Sequence, residues 1–163
     1  MDKFFSFPNP VDEHAARTVA ACVVVLSLAT FATDWKYGSI VLTYGFAARV
    51  AAGPRLSLFG LFATKIVAPR FAHPVLTPGP PKRFAQAVGL GFSLATVLTW
   101  AFASWSAARW ILLPLAAAAF LESALGYCLG CKAFSILMRL GLIPESICLE
   151  CADLSKRYPE LAN

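Results

Sequence analysis

Four apolar runs divide the chain. Residues 18–33 (TVAACVVVLSLATFAT) carry no charge, and residues 37–52 (YGSIVLTYGFAARVAA) carry only Arg49. Residues 84–105 carry no charge, and 110–127 are interrupted only by Pro114 and Glu122. A helix over 84–105 is roughly 33 Å long at about 1.5 Å per residue, enough to cross a hydrocarbon core of about 30 Å. The first two runs are shorter. They need their flanks, Ala15, Ala16 and Gly53, or a locally thin bilayer. The connections at 34–36 and 104–109 are short, so the pattern predicts two helical hairpins. Asp12, Glu13 and His14 precede the first run, and Asp34, Trp35 and Lys36 follow it where a signal peptide would have a small-residue cleavage site. The first run is therefore expected to be a retained helix. Trp35, Tyr37, Trp100, Trp105 and Trp110 fall near run ends, where aromatic rings meet lipid headgroups.

The connection between the second and third runs is itself partly apolar. LSLFGLF at 56–62 is followed by Lys65, Pro69, Arg70 and His73. This predicts a short interfacial or re-entrant helix ended by Pro69, within an interfacial segment at 54–80. Pro78, Pro80 and Pro81 are expected to deny the chain a helix, so that the third span starts after them.

Composition turns this pattern into a class. The 163 residues are 58% hydrophobic and 14% charged, with a mean hydropathy of +0.66. A soluble domain of this size cannot hide so much apolar surface. Disorder, a coiled coil and an ordinary soluble enzyme are excluded. The expected fold is all-α and polytopic: a four-helix membrane domain over 1–127, and a cytosolic helical hairpin over 128–163. Charge sets the orientation. Twelve of the fourteen Lys and Arg residues lie on the side of the N-terminus, the 53–83 connection and the C-terminus; Lys36 and Arg109 alone lie on the other. That bias predicts cytoplasmic N- and C-termini in the inner (cytoplasmic) membrane, with the basic residues against anionic headgroups. The partner is the lipid bilayer; no nucleic-acid motif is present.

Five cysteines follow. Cys22, inside the first run, reads as a small apolar core residue. Cys128, Cys131, Cys148 and Cys151 form C-x2-C-x16-C-x2-C. This spacing fits a four-thiolate zinc site. It also fits two dithiol pairs, in each of which one thiol is nucleophilic and the other resolves a mixed disulfide. An iron–sulfur cluster is a further use of four cysteines. Residues 132–141 (KAFSILMRLG) have the periodicity of an amphipathic helix closed by Gly141. Pro144, Glu145 and Ser146 predict a second helix start, with Cys148 in its first turn, where free N–H groups favour a thiolate.

Other polar residues have two readings each. Glu122, at membrane depth before Cys128, reads as a proton relay to the thiols or as an ion-pair partner of a base such as Arg83. Glu13 and Arg17 are spaced for an i,i+4 ion pair at the start of the first helix, and Arg17 is also placed to contact an anion. Lys82 and Arg83, at the start of the third span, either cradle an anion or anchor the helix to headgroups. His14 and His73 lack metal-ligand spacing to the cysteines. There is no nucleophile-elbow, phosphate-loop, dinucleotide or zinc-protease signature.

VDEHAAR at 11–17, GPR at 53–55, GPPKRFAQ at 79–86, and GYCLGC at 126–131 with its later C-x2-C resemble, in that order, a bacterial integral-membrane family catalogued as domain of unknown function 4395. The resemblance brings no established activity. It implies an association with rhodanese-like or thioredoxin-like proteins, and so thiol or sulfur chemistry. A second resemblance is architectural only. Membrane oxidoreductases of the disulfide-bond-forming and vitamin K epoxide reductase types also combine four helices, two cysteine pairs and a quinone, but their reactive pairs face the exported side.

The leading expectation is a membrane-embedded thiol–disulfide or sulfur-handling protein working through its two C-x2-C pairs with a cytosolic partner. The alternatives are a zinc-capped small transporter or assembly subunit, and a quinone-linked thiol oxidoreductase.

Overall fold

The computed structural model describes residues 9–71 and 73–143. Four helical segments are long and apolar enough to cross a membrane: Glu13–Ala32, Gly38–Arg70, Gly79–Phe102 and Trp105–Leu125. The chain is an all-α polytopic membrane protein. Its outer surface carries large apolar side chains, including Val25, Tyr44, Leu98 and Phe102, that a soluble protein would bury.

Helix α1 (Glu13–Ala32) starts where Asp12 accepts the His14 N–H at 2.8 Å, five residues before the first apolar run. It ends in a turn through Asp34 at φ 54°. Helix α2 (Gly38–Ala52) stops at Gly53, whose φ of 64° suits a residue without a Cβ. The connection after α2 is helical in short pieces as far as Arg70. Helix α3 (Leu58–Phe62) runs into a π-helical turn over Ala63–Val67 and a 3₁₀ turn over Ala68–Arg70, which contains Pro69. Phe59, Ala63 and Ala68 pack on Ala15 and Val19 of α1, so this segment lies against the bundle.

Helix α4 (Gly79–Phe102) corrects the expectation that the prolines delay the third span. Pro80 and Pro81 sit in its first turn. The N–H groups there have no intrahelical acceptor, so losing them costs nothing, and the fixed proline φ is already helical. The last span is built from α5 (Trp105–Ala108), a 3₁₀ turn over Arg109–Ile111, and α6 (Leu112–Leu125). Pro114 is accommodated just after the 3₁₀ turn, at the third residue of α6.

Connectivity is two hairpins, but the main interfaces cross between them: α1 packs chiefly on α6, and α2 on α4. Val23, Leu42, Phe46, Leu112, Leu115 and Ala119 form the central core. A Cβ on Gly89 of α4 would run into the Phe46 ring, so glycine permits the α2–α4 approach. At one end of the bundle Asp34 accepts from Trp105 Nε1 at 2.9 Å and Arg109 Nη1 at 2.6 Å, joining the two hairpin turns. This network holds the Asp34 carboxyl below its ordinary pKa, through the Trp105 hydrogen bond first and the Arg109 bond second.

At the other end a two-residue antiparallel pairing appears that hydrophobic periodicity does not predict. Strand β1 (Val11–Asp12) pairs with β2 (Leu76–Thr77), with Val11 opposite Thr77. It fixes the start of α1 beside the start of α4. Helix α7 (Leu129–Arg139) then follows α6. It ends at Gly141, φ 73°, where the N–H groups of Gly141 and Leu142 bond to Met138 and Leu137 carbonyls, as the expected glycine stop requires. The second arm of the expected hairpin, with Cys148 and Cys151, lies outside the described residues.

Candidate functional site

The site begins with a helix reversal. Gly126 takes a left-handed conformation, φ 66°, and the N–H groups of Gly126 and Tyr127 close the last turn of α6 onto Glu122 and Leu121 carbonyls at 3.0 and 3.1 Å. The chain turns back at once, and Cys128 becomes the N-cap of α7. The first C-x2-C motif is therefore a helix N-terminus, one turn longer than the periodicity of 132–141 suggests. The dipole argument made for Cys148 applies here to Cys128. Its Sγ accepts the Cys131 N–H at 3.4 Å, and Cys128 is only 8% exposed. Cys131 is half-buried, and both thiols are free.

The two sulfurs are electrically unequal. The Cys131 thiol donates to Cys128 Sγ, and this holds the Cys128 thiol below its ordinary value against the opposing effect of burial. The same bond, then burial, drives Cys131 upward. A thiolate at Cys128 beside a protonated Cys131 is the arrangement that a nucleophile and a resolving thiol require.

Beneath the pair lies a buried ion cluster. Lys82 Nζ on α4 is 2.8 Å from Glu122 Oε1 on α6 and 3.3 Å from Glu13 Oε2 on α1. The three side chains are 6%, 12% and 17% exposed. Glu122 does form an ion pair, with Lys82 as its base; Arg83 instead donates to the Val50 carbonyl at 3.0 Å, closing the end of α2. Glu13 likewise faces Lys82, and Arg17 donates to the Ser123 and Ala124 carbonyls at 3.0 and 2.8 Å, capping α6. Three spans thus meet on one lysine.

Arg49 of α2 is a second buried cation. Arg49, 4% exposed, donates to Gln86 Oε1 at 2.7 Å and Ser57 Oγ at 2.9 Å, with its guanidinium over the Phe46 ring. Its signal was plain: a lone charge inside an apolar run needs a built partner.

Two cavities meet at Cys128. A polar cleft of about 330 Å³ is bounded by Glu13, Lys82, Tyr127, Cys128, Cys131 and Ser135 among others. An apolar cavity of about 340 Å³ lies between α1, α4, α6 and α7, with Glu122, Gln86 and Cys128 as its polar wall. Cys128 borders both, Glu122 only the apolar cavity, and Lys82 only the polar cleft.

Among the described residues no three His, Cys, Asp or Glu side chains cluster closely enough to hold a metal ion. The zinc arrangement suggested by the cysteine spacing needs Cys148 and Cys151, which lie outside them. His14 stacks on Phe71 at 4.1 Å, away from the thiols.

Fold and site define a four-span membrane protein with a thiol pair at the N-terminus of the short helix that follows the last span. The family model described as domain of unknown function (DUF4395) matches residues 11–139, and the chain belongs to that family. The matched stretch includes Cys128 and Cys131 and ends before Cys148. No curated protein and no solved structure matches the chain.

Proposed function

We propose that this protein is a membrane-embedded thiol–disulfide or sulfur-handling protein whose working pair is Cys128 and Cys131. The reading rests on one observation above all: a buried N-cap sulfur that accepts the N–H of its C-x2-C partner at 3.4 Å. Such a sulfur is stabilised as the thiolate, and the thiolate is the nucleophile.

The chemistry is a two-step exchange. Cys128 thiolate attacks a disulfide of a thioredoxin-like partner, forming a mixed disulfide and releasing one partner thiolate. Cys131 then loses its proton and attacks Cys128 Sγ, releasing the second partner thiolate and closing the Cys128–Cys131 disulfide. Two electrons pass to the partner. With a rhodanese-like persulfide, Cys128 takes the outer sulfur, and attack by Cys131 releases it as hydrosulfide, leaving the same disulfide. Cys148 and Cys151 are proposed as a second pair that exchanges with the first. The twelve-to-two distribution of Lys and Arg supports an inner-membrane orientation with both termini and the thiol cleft in the cytosol.

Trapping tests this reading. Full-length protein in detergent is mixed with an oxidised thioredoxin-like protein. Cys131→Ser should accumulate the mixed disulfide through Cys128, because nothing resolves it, whereas Cys128→Ser should not. Equal trapping by both variants, or by neither, contradicts the assignment. The cysteine spacing also supports a second reading, a zinc cap, and metal analysis of the same preparation separates the two. One zinc per chain, with all four thiols shielded until chelation, would establish the cap.

A further inference from the structure

The apolar cavity and the polar cleft are separate spaces that both border Cys128. The apolar cavity's volume lies in the roughly 300–1,000 Å³ range of small-molecule sites. Its walls are small or apolar, among them Ala85, Gly89, Ala118 and Ala119. Val88 and Phe92, which also line it, are exposed on the outer face of the bundle, where lipid lies, so a ligand would arrive from the bilayer. Electrons and protons both have a crossing point at its base. Cys128 borders cavity and cleft alike. Glu122 faces the cavity, Lys82 faces the cleft, and 2.8 Å joins them.

We propose that this cavity takes the ring of a lipid-soluble quinone, which accepts the electrons of the Cys128–Cys131 pair. A dithiol gives up two electrons and two protons together, and among lipid-soluble carriers the quinones take up that set as one unit. The Cys131 S–H bond breaks, one S–S bond forms with the Cys128 thiolate, and the quinone leaves as quinol, with one proton from Cys131 and the second from the cleft. Lys82 and Glu122 carry protons between the cleft and the ring oxygen nearest Glu122. The polar cleft is left to the partner, whose dithiol reduces the Cys128–Cys131 disulfide by the reverse of the exchange above and leaves as the partner disulfide, so that one cysteine serves electron donor and electron acceptor in turn. This inference rests on the thiol reading above and adds the electron acceptor to it.

The test uses anaerobic, fully reduced full-length protein in detergent. The probe is a fully substituted benzoquinone with a decyl chain, whose ring has no open carbon for stable thiol addition. Quinone absorbance and mass-mapped alkylation report the reaction, and a soluble disulfide is the control oxidant. Wild type should reduce one quinone per Cys128–Cys131 disulfide formed. Ala118→Leu and Ala118→Phe fill the cavity in increasing degree and should slow the quinone reaction progressively, on the order of tenfold to a hundredfold for Phe. Both should react with the soluble disulfide at the wild-type rate, which also shows that they are folded. If Ala118→Phe reduces quinone as fast as wild type, the cavity is not the site. If wild type ignores quinone but is oxidised by the disulfide, as it would be were the cavity an acyl-chain slot, the inference falls and the thiol reading stands. If neither oxidant produces the Cys128–Cys131 disulfide, both fall.

Discussion

Lys82 donates to Glu122 at 2.8 Å across the α4–α6 interface while also facing Glu13 of α1 at 3.3 Å. One ammonium therefore holds two carboxylates apart at the floor of the cleft, where all three side chains are largely buried. Removing it leaves both negative charges facing each other. Lys82→Met should lower stability by about 3–5 kcal/mol, the cost of breaking a buried ion pair from one side. Combining it with Glu122→Gln and Glu13→Gln should recover much of that loss. Unfolding in detergent micelles checks both; a harmless Lys82→Met would show that the cluster is not a structural tie.

Arg49 presents a different dependence. Its guanidinium serves Gln86 and Ser57 in two directions at once. An ammonium is a point charge and cannot reproduce that fork. Arg49→Lys should therefore recover little of the roughly 3 kcal/mol lost in Arg49→Met, taking about 1.5 kcal/mol for each charge-assisted bond. The same unfolding assay reads the difference.

Thiol reactivity should follow the hydrogen bond between the cysteines. Cys128 has its pKa held down by the Cys131 thiol, so its alkylation should reach half-maximal rate at a pH below the free-cysteine value of about 8.5. Cys131, pushed up, should stay unreactive across the same range. In Cys131→Ala the donor is gone, and the Cys128 midpoint should move to higher pH. Rates of alkylation against pH, mapped by mass, test the sign.

Gly130 sets the distance between the thiol helix and the bundle. A Cβ there would lie 2.5 Å from the Ala85 Cβ and 2.6 Å from its Cα. Gly130→Val should force α7 away from α4 at a cost of about 1–3 kcal/mol. It should also raise the accessibility of Cys128 to alkylating reagents, although neither cysteine is changed.

At the opposite end the Asp34 carboxylate carries a pH dependence. Its pKa is depressed by Trp105 and Arg109, so its contribution to stability is fully present above the unfolded Asp value of about 3.9. That contribution is lost as pH falls through the lower folded value. Asp34→Asn should reduce thermal stability at neutral pH and narrow its gap from wild type in acid.

The spans were legible because lipid demands continuous apolar runs, and the glycine stop at Gly141 falls where chain pattern alone puts it. The ends were less so. Glu13 and Lys82 extend the helices past the apolar runs, because each polar side chain is neutralised by a partner that is remote in sequence. Lys82 and Arg83 are adjacent and equally basic, but successive helical positions point about 100° apart. Only the packed structure shows that Lys82 faces Glu122 while Arg83 faces the end of α2. The pairing of Val11 with Thr77 spans too much sequence for periodicity to report. The thiol motif was visible from its spacing; its position at a helix N-terminus depended on Gly126 turning the chain back immediately before it.

The proposed function requires Cys128 and Cys131 to form a reversible redox pair. It is tested most directly by equilibrating the full-length protein across a graded series of reduced and oxidised dithiol buffers, quenching with an alkylating reagent, and mapping each cysteine by mass. Cys128 and Cys131 should pass together, and reversibly, between two free thiols and one mutual disulfide. Two thiols that remain free across the series, or that join other partners without joining each other, would contradict it.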